Sequence, residues 1–129
     1  MAIIELSADY DCAPAALWRI IGDPSRADWV PSVSSCHYDG ECRTLVMAGA
    51  GTLVERIFLL DEQRQRIEYG VEKAPVEMTL HHAAMQLYAT DTGVRLDWRT
   101  EVVPDAYAEF IREGMLAGIA GLRAVVNQA

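Results

Sequence analysis

Basic residues are scarce in this chain: 11 lysines and arginines stand against 19 aspartates and glutamates, for a formal net charge of −8. A polyphosphate partner requires a clustered basic face, and the arginines here are scattered, so no nucleic-acid partner is expected and an anionic membrane surface is disfavoured. Cysteine is equally sparse. Cys12, Cys36 and Cys42 form an odd set that cannot pair off within one chain, which reads as free thiols and not as an oxidised, secreted framework. Their spacing matches no zinc pattern, and His37 directly follows Cys36, where a strand sends the two side chains to opposite faces, so no metal site is expected. Long apolar runs are missing, and Met1-Ala2-Ile3-Ile4-Glu5 has neither a basic start nor an apolar core, so no membrane insertion is expected and the cytoplasm is the expected location. The chain also lacks a serine nucleophile elbow, a glycine-rich phosphate loop and a histidine-rich metal motif, which weakens hydrolase, kinase and metalloenzyme readings.

What is present is apolar residues, 51% of 129, enough to bury one core and too few residues for a second, so residues 1–129 are expected to form one domain. Residues 3–10 alternate Ile4, Leu6, Ala8 and Tyr10 against Ile3, Glu5, Ser7 and Asp9, the period-2 pattern of a half-buried strand. Pro14 opens a short helix that Gly22-Asp23-Pro24 ends, and a second short helical turn is expected over 25–29, before Pro31. Turn signals at Asp39-Gly40, Gly49-Ala50-Gly51, Asp61-Glu62, Lys73-Ala74-Pro75 and Asp91-Thr92-Gly93 then divide a meander of about five strands. In the last of these, Val94, Leu96, Trp98, Thr100 and Val102 share one face, and Arg95, Asp97, Arg99 and Glu101 share the other, so one side of the sheet meets water.

A final helix follows Pro104-Asp105, with Asp105 as its expected cap, and runs to about Asn127. Ile111, Met115, Gly118, Leu122 and Val126 form one stripe at helical spacing, with Gly114, Gly118 and Gly121 beside it. Each glycine costs a helix about 0.8–1.0 kcal/mol relative to alanine, so three of them require close approach to the sheet or to a partner chain.

The order of short motifs carries a resemblance. Gly40-Glu41-Cys42-Arg43-Thr44-Leu45, Val54-Glu55-Arg56-Ile57 with Asp61, Ile67-Glu68-Tyr69, Gly93-Val94-Arg95-Leu96-Asp97-Trp98 and a glycine-bearing last helix together resemble the polyketide cyclase/dehydrase branch of the START-related SRPBCC superfamily. Trp29-Val30-Pro31-Ser32-Val33 fits the same family's segment after the short helices. The resemblance implies an α+β helix-grip fold: a curved antiparallel sheet of about seven strands wrapped around a long C-terminal helix, with two short helices after the first strand. It further implies a cavity between sheet and helix in which relatives bind lipids, hormones or polyketides.

Strand parity supplies the candidate residues. Met85 and Leu87 point inward, which puts Ala83 and His81 on the same face, and Tyr69 goes with Ile67 and Val71. Trp98 shares the inward face of the last strand, and Met115 faces it from the helix. These positions, with Trp29 and Met47, are the expected ligand contacts. Glu55 shares parity with Leu53, Ile57 and Leu59, and a carboxylate on an apolar face must be paired, protonated or used. It pairs with Arg43 on the neighbouring strand or serves the ligand, unless the opposite register turns it to water. Arg43, if inward, holds a ligand carboxylate or enolate through its planar fork. His81 is either a hydrogen-bonded wall residue or a proton carrier.

These groups support two functions without a cofactor. One is binding of a small apolar or aromatic, polyketide- or lipid-like molecule together with cyclisation and dehydration, in which Glu55 or His81 moves a proton and Arg43 or Tyr69 holds the enolate oxygen. The other is a non-catalytic carrier or sensor. A third reading gives the last helix the task of building a homodimer.

Overall fold

The computed structural model describes residues 1–127. Strand β1 (Ala2–Tyr10) leads into helix α1 (Pro14–Ile21), followed by β2 (Val33–Tyr38), β3 (Cys42–Met47), β4 (Gly51–Asp61), β5 (Arg66–Lys73), β6 (Leu80–Ala89) and β7 (Val94–Val103). A short 3-10 turn (Asp105–Tyr107) then opens helix α2 (Ala108–Asn127). The seven strands form one antiparallel sheet in the order β1-β7-β6-β5-β4-β3-β2. The first strand therefore closes onto the last, as hairpin-linked neighbours carry the meander outward to β2. Bulges in β2, β4 and β5 bend the sheet, and its concave face takes α2. This is the helix-grip architecture.

The turns form where the sequence supplies residues for them. Gly49 and Gly51 bracket the β3–β4 turn with φ of 76° and 95°, a region open to glycine at little cost. Alternation holds along β7, where Val94, Leu96, Trp98, Thr100 and Val102 are all buried. Helix α2 presents Met115, Gly118 and Leu122 to the sheet. The Tyr10 hydroxyl donates to the Ile119 carbonyl at 2.9 Å, fastening β1 to the second half of α2. Burial, only partly offset by Arg123, pushes this phenol up to about 12, so it remains a donor.

Three expectations change. Residues 25–29 form hydrogen-bonded turns, with Arg26 N–H donating to Asp23 and Val30 N–H to Ala27, so one short helix follows β1 where two were expected. The prolines at 24 and 31 leave too short an interval for a helix to repay its nucleation. Asp105 lies inside the 3-10 turn that precedes α2 and not at the cap position of the helix. The bulge at Phe58 breaks the parity of β4, so Ile57 still pairs with Tyr69 whereas Leu59 pairs with Glu68 on the outward register.

Candidate functional site

A cavity of about 610 Å³ lies between the first half of α2, the 29–33 segment and the concave face of β3–β7. Its walls are mainly apolar: Leu45, Met47, Leu53, Val71, Met78, Trp98, Ile111 and Met115 all contribute. Trp29 and Trp98 meet edge to face at 5.9 Å between ring centres. Their indole N–H groups are buried without a hydrogen-bond partner among the described residues.

Polar groups gather on the sheet side. Arg43 and Glu55 are cross-strand partners in the β3–β4 ladder, so their side chains emerge on one face a few ångströms apart. Arg43 Nε donates to Glu55 Oε1 at 2.7 Å, with only 6% and 8% of the two side chains exposed. Burial disfavours the Arg43 charge, yet Glu55 and Tyr69 hold its pKa above the ordinary arginine value. The ion pair uses Nε alone. The two terminal nitrogens of Arg43 make no hydrogen bond to the described residues, and neither is sealed from the cavity.

Tyr69 lies beneath this guanidinium, 4.7 Å from its ring centre. Burial first, then the Glu55 charge, raise its phenol well above the usual range, so it is a neutral O–H donor. His81 stands beside it at 6.1 Å between ring centres. Its Nδ1 accepts the Val71 backbone N–H at 3.2 Å. A backbone N–H can only donate, so Nδ1 carries no proton and the neutral ring bears its hydrogen on Nε2. Burial, opposed in part by Glu55, lowers the His81 pKa, in keeping with a neutral ring. The arrangement thus offers donors from Arg43, Tyr69 and His81, and one carboxylate as acceptor.

Of the sequence candidates, Trp29, Arg43, Met47, Glu55, Tyr69, His81, Trp98 and Met115 all border this cavity. Met85 does not. It is 1% exposed and packs within the solid core, four residues along β6 from His81, where its cross-strand neighbour Ile67 is core as well. Thr100 was missed as a site residue, although it shares the inward parity of Trp98; it is 1% exposed, borders the cavity and donates to the Met115 sulfur at 3.4 Å. The loop contributions of Val30–Val33 and Pro75 carried no periodic signal to find them by.

A family model described as polyketide cyclase / dehydrase and lipid transport matches residues 1–127. The chain belongs to that family. No functionally curated protein matches the sequence. Among solved structures, the fold is similar to protein XoxI from Bacillus cereus, with a TM-score of 0.87 at 22% identity over 98% of this chain and 96% of that one. A protein from Thermobifida fusca gives a TM-score of 0.82 at 25% identity, covering 99% of this chain and 95% of that one. Ara h 8.0201 gives a TM-score of 0.79 at 14% identity, with 99% of each chain covered. Family and fold together support binding of a hydrophobic ligand. Among the described residues no helix is long and apolar enough to cross a membrane.

Proposed function

We propose that the protein binds an apolar, ring-bearing or polyketide-like molecule that presents a carbonyl or other accepting oxygen to Arg43, Tyr69 and His81. The observation that carries this reading is the lopsided polar set: unpaired N–H groups of Arg43, a neutral phenol and an Nε2–H imidazole converge beside a cavity whose remaining walls are apolar. An all-hydrocarbon ligand would leave these donors desolvated and unpaired, at roughly 1–3 kcal/mol each. An oxygen acceptor satisfies them. Because Arg43 and Glu55 already balance in charge, a neutral carbonyl suits the site better than a free carboxylate.

Native mass spectrometry of the protein purified from its own host tests the reading. An oxygen-bearing apolar molecule retained in stoichiometric amount is the expected result; a retained pure hydrocarbon contradicts it.

A second reading, cofactor-free cyclisation or dehydration, is favoured by one specific feature. Glu55 uses a single hydrogen bond to Arg43, and the donors beside it match what an enolate oxygen needs. In such a step the Glu55 carboxylate removes a proton from the carbon next to the ligand carbonyl, the electron pair moves to oxygen, and the donors stabilise that charge. His81 serves there as a donor, since its tautomer has no free basic nitrogen facing the ligand. Proton exchange on the methyl group of 2-acetylnaphthalene in heavy water measures this directly. The protein accelerates exchange and E55Q abolishes the acceleration if the step occurs; exchange at the solvent rate assigns the protein to carriage or sensing.

A further inference from the structure

Three glycines interrupt α2, and two have a steric reason. A Cβ at Gly118 would lie 3.0 Å from the rings of both Trp29 and Trp98, and one at Gly121 would overlap the Trp29 carbonyl. These positions let the helix lie directly on the 29–31 segment and the sheet. Gly114 has no such neighbour. A Cβ there would meet no atom within 4 Å, so alanine would fit and would favour the helix. Contact within the protein gives no reason for glycine.

The cavity gives one. Gly114 lies one turn before Gly118, on the edge of α2 that borders the cavity, between Phe110 and Ala117. Ser32, Ala50 and Pro75, from three loops, also border the cavity and are exposed, so its open side runs between those loops and this helix edge. The polar groups Arg43, Tyr69 and His81 lie on the sheet side. A ligand held there by its oxygen and long enough to reach that open side runs along the helix edge that carries Gly114.

We infer that Gly114 is a size-selecting residue: its missing side chain leaves the room that admits the far end of an extended, rigid ligand. This rests on the reading of the cavity as a ligand site. A larger side chain at 114 excludes long ligands and spares short ones that stay near Arg43.

Two ketones with the same oxygen and different length separate these effects, 2-acetylnaphthalene and 2-acetylphenanthrene. Their affinities for the parent, G114A, G114L and a control, A120L, are measured by calorimetry alongside thermal melts. Ala120 is exposed on the same helix and does not border the cavity. The expected result is that G114L weakens the phenanthryl ketone about tenfold or more while the naphthyl ketone changes by less than about threefold. G114A melts no lower than the parent, and A120L changes neither affinity. A G114L variant that binds both ketones as the parent does, or loses both equally, overturns size selection and leaves the ligand reading standing. A parent that binds neither ketone overturns both.

Discussion

The two ends of the space between sheet and helix are built on the same strands and differ in kind. At the end covered by α1 and the second half of α2, Leu17, Ile21, Ile67, Met85, Leu96 and Leu122 are no more than 2% exposed, a solid core. Two residues along each strand the character changes: Ile67 gives way to Tyr69 and Val71, Met85 to Ala83 and His81, Leu96 to Trp98 and Thr100, and these border open volume, Ala83 excepted. The helix changes in step, from Leu122 to Gly118 and Gly114. Alternation thus fixes which face a residue takes. What covers that face fixes whether it packs or lines a cavity.

The largest effect expected at the hollow end comes from separating its buried ion pair. R43M or E55M alone leaves an uncompensated buried charge and destabilises by roughly 3–5 kcal/mol in urea melts, whereas the double variant R43M/E55M recovers most of that loss. Single variants as stable as the parent would mean that the two ends are equally dependent on apolar packing alone. At the solid end, L122A removes a side chain that is 0% exposed and is expected to cost about 2–5 kcal/mol by the same melts. A much smaller loss would show that this end also contains slack.

Between the ends, G121A forces a methyl group against the Trp29 carbonyl and is expected to destabilise by about 1–3 kcal/mol despite alanine's better helix propensity. G114A, seven residues earlier and facing open space, moves melting temperature the other way. The smallest effect is one of pH. His81 has a lowered pKa in the folded chain, whereas an unfolded histidine titrates near about 6.5. Below that value, and above the folded pKa, the unfolded state binds more protons, so stability falls as pH falls. Melting temperature declines as pH falls through about 6.5, and H81Q reduces the decline. The carboxylates held low by partners, Asp28 and Glu68 among them, lose their contribution only in a more acid range.

Much of this was legible in the sequence, for particular reasons. Period-2 alternation in residues 3–10 and 94–103, turn glycines and the apolar stripe of the last helix each follow from local geometry, and the motif order tied them to one fold. Parity offered the inward pairing of Arg43 with Glu55 as one reading, beside a ligand role and the opposite register, and the β3–β4 ladder realises the pair. Depth does not follow from parity: Met85 has the parity of a cavity residue and lies in the core. Local strength did not show either: the expected helix over 25–29 is too short to form between its prolines, and the bulge at Phe58 moved Leu59 off its expected face. Gly114 reads like its neighbours at 118 and 121 until their surroundings are compared.

The hollow end is expected to recognise an oxygen. The direct measurement is calorimetric binding of a matched pair, 2-acetylnaphthalene and 2-isopropenylnaphthalene, which share shape and ring and differ in a carbonyl oxygen. Hydrogen bonds from charged donors contribute about 1.5–3 kcal/mol, so the ketone is expected to bind about tenfold or more tightly to the parent, and that advantage to shrink in R43M/E55M, where only Tyr69 and His81 still donate. Equal affinity of the parent for both ligands would contradict the claim that Arg43, Tyr69 and His81 form the ligand's polar anchor.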